Sequence, residues 1–114
     1  DYKVVSEEAL NTARNCLMDS IGCGLLALKF PNCTRHLGPM VPGTTVENGA
    51  RVFGRSFELD PVKAAWDIGA LVRWLDFNDT WLAEEWGHPS DNLGAIMALG
   101  DYISRVNIAN HKSP

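Results

Sequence analysis

No stretch of this sequence is apolar for long enough to span a bilayer, and no signal-peptide pattern opens it. No run of Lys and Arg interrupts a net charge of −4, set by 14 acidic residues against 10 basic ones. A nucleic-acid stripe and a polybasic membrane patch are therefore both missing. Cysteine is scarce. Cys16, Cys23 and Cys33 make no CxxC pair, and an odd count builds neither a disulfide framework nor a zinc site. Cys16 and Cys23, seven apart, read as small buried hydrophobes on one helix face, in a chain suited to a reducing compartment. The GxxxxGK[ST] phosphate loop, the GxGxxG dinucleotide turn and the nucleophile elbow are absent. Gly22-Cys-Gly24 lies in helical sequence with no strand before it. The cations Lys29, Arg35, Arg51, Arg55, Lys63 and Arg73 read first as solvated surface, although one face of them would suit an anionic substrate.

What is present is a chain of 114 residues, one domain at most, with an ordinary 46% of hydrophobic residues. Ser6 followed by Glu7 and Glu8 predicts a helix start. Leu10, Ala13, Leu17, Ile21, Leu25 and Leu28 then recur at helical spacing, so the first helix is expected from about Glu7 to Leu28. Gly22 and Gly24 are tolerable there if another backbone packs close. Prolines and glycines break the period between Lys29 and Leu59. Within that stretch Thr44-Thr-Val and Arg51-Val-Phe flank Asn48-Gly49, which predicts a small hairpin or a tight turn. Asp60-Pro61 starts a second helix, apolar nearly all round and so expected to be buried, ending near Asp76. A third begins around Ser90 or Asp91. Its expected buried stripe is Leu93, Ile96, Met97, Gly100 and Ile103, with Gly94, Ala95 and Ala98 allowing close packing. The fold class is all-α, part of a multi-helix domain with one long irregular loop and room for a β-hairpin.

Chemistry concentrates between the second and third helices. Arg73 to Asn92 holds three Trp, three Asp, two Glu, one Arg and one His in twenty residues. Large aromatics beside titratable groups are how a walled reaction site reads. His88 precedes Pro89 and would sit at the positive end of the third helix. Asp76 would close the second helix, at its negative end. An imidazole and a carboxylate set in opposite fields suit acid/base work. The plainer reading, a structural His among scattered carboxylates, stands beside it. Asp79 and Asp91 read as loop and cap residues, Asp91 as an N-cap. The trio Asp76, Asp79 and His88 matches no metal-ligand spacing, so neither metal nor cofactor is expected.

The strings Cys16-Leu-Met-Asp-Ser-Ile-Gly-Cys-Gly24, Leu37-Gly-Pro-Met-Val-Pro-Gly-Thr44 and Asn48-Gly-Ala-Arg-Val52 resemble the 2-methylcitrate dehydratase (MmgE/PrpD) family. So do Leu59-Asp-Pro-Val62, Ile68 to Trp81, and Glu85-Trp-Gly-His-Pro-Ser-Asp-Asn92. The likeness runs in order from about Ser6 to Arg105. The wider family includes cis-aconitate decarboxylases, which have a shorter spacer between the Asp and the His-Pro-Ser than the one from Asp76 to His88. The resemblance implies a large helical domain with a smaller lid domain, and dehydration of 2-methylcitrate to 2-methyl-cis-aconitate without an iron–sulfur cluster. It implies Asp76 and His88 as active-site positions, a small tricarboxylate as substrate and a homodimer as the assembly. Family chains are several times longer. Residues 1–114 are thus expected to be part of the helical domain, without the lid and inactive alone. The compartment would be the cytoplasm in a bacterium or the mitochondrial matrix in a eukaryote. Two alternatives stand: a non-catalytic helical dimerisation module, and a decarboxylase-like enzyme.

Overall fold

The computed structural model describes residues 6–114. Helix α1 spans Glu7–Ala27, and the Ser6 hydroxyl accepts the Ala9 amide at 3.1 Å, as its capping sequence predicts. A single helical turn, α2, covers Pro31–Thr34. Two short strands follow, β1 at Ala50–Arg51 and β2 at Glu58–Leu59. Helix α3 spans Pro61–Arg73, with the Asp60 carboxylate accepting the amides of Val62 and Lys63. A 3-10 turn, Pro89–Asn92, leads into α4 at Leu93–Ala109. Three main helices and one long irregular connection agree with the expected all-α class. Among the described residues no helix is long and apolar enough to cross a membrane.

The hairpin differs from expectation in its register. Asn48-Gly49 does form a tight turn, with Asn48 at φ 55° and the Gly49 amide donating to the Val46 carbonyl at 2.9 Å. The strands pair elsewhere, however: Ala50 with Leu59 and Arg51 with Glu58, antiparallel. The chain reverses around Gly54, at φ 71°, because burying Ala50, Val52 and Leu59 together needs that register.

The core sits where α3 meets α4 and the hairpin, built from Ala27, Cys33, Val52, Leu59, Ala64, Ile68, Leu71, Val72 and Ala98. Much of it is small. A Cβ on Gly94 would stand 2.5 Å from the Ala65 carbonyl oxygen and 3.0 Å from the Gly69 amide nitrogen, so the two helix backbones nearly touch. The space at Gly24 is taken by the Phe53 side chain and not by the helix or backbone expected there, and Gly22 faces open space.

That close packing corrects three expectations. The buried face of α4 is Gly94 and Ala98, while Ile96 is 67% exposed and Ile103 also faces out. The buried face of α1 is Ser20, Cys23, Gly24 and Ala27, leaving Leu10, Leu17 and Leu25 outside and Cys16 only half-buried. Helix α3 buries one arc but exposes Val62, Trp66 and Trp74. On α1 and α4 small residues set the contact, because short side chains let helix axes approach and larger ones at the same place would hold them apart.

Lys63 is also not the solvated cation expected. It is 8% exposed and paired with the fully buried Asp67 one turn along α3. Its ammonium donates to the His36 carbonyl at 3.1 Å and lies 4.3 Å from the centre of the Trp66 ring. Asp67 in turn accepts the Gly38 amide at 2.7 Å. This pair fastens the long connection to α3. On the other side Arg51 and Asp101 (2.6 Å), and Glu58 and Arg105 (2.6 Å), fasten the hairpin to α4. The Arg51 guanidinium beside Asp101 holds that carboxyl below the usual range, and the Arg51 amide adds to the effect.

Candidate active site in the segment between α3 and α4

The segment from Trp74 to His88 leaves α3 through a left-handed residue. Asp76 has φ 57°, which ends the helix three residues before the expected stop and turns the chain away. Trp81 and Gly87 then exchange two backbone hydrogen bonds, 2.8 and 3.1 Å, closing a small loop. Trp81, Leu82 and Trp86 stand exposed on that loop.

Polar side chains hold the segment. The Asn78 side chain is buried and donates to the Ser90 hydroxyl at 2.6 Å. The Asp79 carboxylate accepts the Ser90 amide with both oxygens, at 3.2 Å each. It thereby caps the start of the 3-10 turn from a distance, and Ser20 of α1 reaches it at 3.4 Å. Asp91 does not have the capping role expected of it; its carboxylate is exposed and turns to Arg73 at 3.4 Å. Asp79 occupies the amide instead, because the loop brings its carboxylate over the free N–H of Ser90.

His88 is half-buried, with Nδ1 2.8 Å from the Asp79 carbonyl oxygen and 3.4 Å from the Thr80 hydroxyl. Its ring meets Trp86 at a right angle, centroids 5.8 Å apart. Asp76 is exposed and pairs with Arg73 at 3.0 Å. Asp76 and His88 have no bond to each other. They are linked in series: Asp76 to Arg73, Arg73 to Asn78 at 3.3 Å, Asn78 to Ser90, Ser90 to Asp79, and Asp79 to His88. Among the described residues no three His, Cys, Asp or Glu side chains gather at one point, the trio Asp76, Asp79 and His88 included.

A groove of about 730 Å³ runs along α1 beside this segment. Asp79, Trp81, Pro89 and Ser90 line one wall; Thr12, Cys16 and Ser20 of α1 line the other. Asn78, Thr80 and Ser90 went unassigned from the sequence, and Trp86 was expected only as one of the aromatic walls. Their pairings are fixed by how the loop closes, and residue type and spacing carry no sign of that.

A family model described as the MmgE/PrpD N-terminal domain matches residues 1–111. The chain belongs to the MmgE/PrpD family. It is 65% identical over 113 residues to the 2-methylcitrate dehydratase of Cupriavidus necator, covering 99% of this chain and 23% of that protein. It is 60% identical over 114 residues to the 2-methylcitrate dehydratase of Escherichia coli strain K12, covering 100% and 24%. An alkylcitrate dehydratase from a fungus is 43% identical over 118 residues, covering 100% of this chain and 23% of its own length. The chain thus spans about a quarter of the length of these MmgE/PrpD relatives. The segment carrying Asp76 and His88 lies well inside the matched residues.

Proposed function

We propose that the protein to which this chain belongs is an iron–sulfur-independent hydro-lyase that dehydrates 2-methylcitrate to 2-methyl-cis-aconitate, the step of propionate breakdown in the methylcitrate cycle. The identity of 60–65% to proteins named 2-methylcitrate dehydratase carries this reading. The chain would supply part of the helical domain, and with a quarter of its relatives' length it would be inactive alone. A small tricarboxylate is the substrate and a homodimer the assembly.

Loss of water breaks one C–H and one C–O bond. The C–H electron pair becomes the new π bond, and the hydroxyl leaves as water with one proton gained. The reaction needs one group to take a proton beside a carboxylate and one to give a proton to the departing hydroxyl. His88 is the proton-transferring candidate, because its ring is anchored through Nδ1 alone. Asp76 is the second site residue, standing in solvent beside Arg73. An anionic substrate arriving there meets a guanidinium that can exchange one carboxylate partner for another.

The test is His88→Asn in the full-length enzyme. Asparagine keeps some hydrogen bonding but moves no proton at neutral pH. The expected result is a fall in kcat on the order of 10²–10⁴, with an unchanged melting temperature. Turnover of 2-methylcitrate near the wild-type rate would overturn the assignment of His88.

A further inference from the structure

A carbonyl oxygen accepts hydrogen bonds and cannot donate them. The 2.8 Å contact between His88 Nδ1 and the Asp79 carbonyl therefore requires the proton on Nδ1. In the neutral ring Nε2 then carries the free lone pair. The Thr80 hydroxyl, 3.4 Å from the same nitrogen, is the longer contact and leaves this bond in charge.

One hydrogen bond leaves an imidazole free to swing about it. The Trp86 ring removes that freedom. Its plane stands at 87° to His88 with centroids 5.8 Å apart, the spacing of an edge-to-face aromatic pair. Trp86 is 70% exposed, so it contributes little to the core. The backbone that carries it is held on either side of the loop. The Trp81–Gly87 hydrogen bonds close the loop one residue after Trp86 and one residue before His88. The held backbone thus sets indole and imidazole two residues apart, with their rings in edge-to-face contact.

We infer that Trp86 is a positioning residue that, with the Asp79 carbonyl, holds His88 so that Nε2 is the atom exchanging the proton with substrate. The inference rests on the reading of His88 as the proton-transferring group. It adds the reacting atom and the residue that aims it. The arrangement also gives Trp86 a reason to be large, aromatic and exposed at once: it works on a neighbour's ring and not on the interior.

The experiment uses the full-length enzyme labelled with nitrogen-15 histidine, the His88 signals being identified by their loss in His88→Asn. In its neutral form the wild-type ring is expected to show a protonated, pyrrole-type Nδ1 and an unprotonated, pyridine-type Nε2. Trp86→Ala is expected to lower kcat by about tenfold or more with KM little changed, since misplacing a reacting group by about 1 Å costs up to 10²-fold. Trp86→Phe, which keeps a ring against His88, is expected to restore most of that loss. A wild-type signal with the proton on Nε2 would overturn the inference. So would Trp86→Ala with wild-type kcat, or with a change in KM alone. Full turnover by His88→Asn would overturn the proton-transfer reading itself. The tautomer measurement needs no turnover, so the two failures are told apart.

Discussion

The α3–α4 packing and the segment between those helices are held by opposite means. Between the helices the contact is made by what side chains lack: Gly94 lies against the backbone of Ala65 and Gly69, and Ala98 one turn on is fully buried. In the segment from Asp76 to Ser90 almost nothing apolar is buried. Asn78, Asp79 and Ser90 hold it with directional bonds, while Trp81, Leu82 and Trp86 stand outside. A close helix–helix contact made by small residues is rigid but offers no groups for chemistry. A loop pinned by hydrogen bonds can be equally fixed in place and still present a histidine and a carboxylate to a ligand. The difference explains how one small unit combines a stiff frame with a reactive edge.

Removing the buried anion of the frame is the hardest blow to the first half of that contrast. Asp67→Ala leaves Lys63 buried without its counter-charge and strips the Gly38 amide of its acceptor. Loss of one partner of a buried pair costs about 3–5 kcal/mol. A urea titration should read that loss, and adding Lys63→Met to the same chain should recover part of it. If Asp67→Ala melted like the wild type, the pair would be an ornament of the frame and the long connection would be fastened by other means.

A smaller effect is expected in the segment. Asp79→Ala removes the acceptor over the Ser90 amide, a cap worth about 0.5–2 kcal/mol. Alanine keeps the backbone carbonyl that holds His88 but releases the loop that aims it, so the variant should also lose turnover in the full-length enzyme beyond what its melting temperature explains. Equal losses in stability and activity would erase the distinction between frame and edge at this residue.

The smallest effect belongs to the pair joining hairpin and α4. Arg51 holds the Asp101 carboxyl below its ordinary range in the folded protein. The unfolded chain therefore takes up that proton first as the solution is acidified. The stabilisation is complete above the ordinary aspartate value of about 3.9, declines below it and is gone once pH passes the depressed native value. Arg51 is largely in solvent, so the contribution is modest. Asp101→Asn should lower the melting temperature slightly at neutral pH and not at all in strong acid. A difference that grew on acidification would show that the ion pair is not its source.

Much of the frame was legible beforehand. Ser6, Asp60 and Pro61 mark two helix starts by residue type alone, and both caps form as written. The register of the hairpin was not legible. Asn48-Gly49 is a sound turn signal, but which strands pair depends on burying Ala50, Val52 and Leu59 against the helices. At the site, His88 and Asp76 stood out because rare reactive types sit among aromatics. Asn78, Thr80, Ser90 and Trp86 did not, since their part lies in distances across a closed loop.

The sequence by itself determined where α1 and α3 begin, that the class is all-α, and that the reactive types cluster between Arg73 and Asn92; each follows from local chemistry within a few residues. Only the tertiary structure decided which faces are buried, that Lys63 and Asp67 pair inside, that Asp79 rather than Asp91 caps the turn, and that Asp76 and His88 are linked through Arg73, Asn78, Ser90 and Asp79. Those outcomes rest on contacts between residues distant along the chain, where packing space and unsatisfied backbone groups choose among partners that residue type alone leaves equivalent.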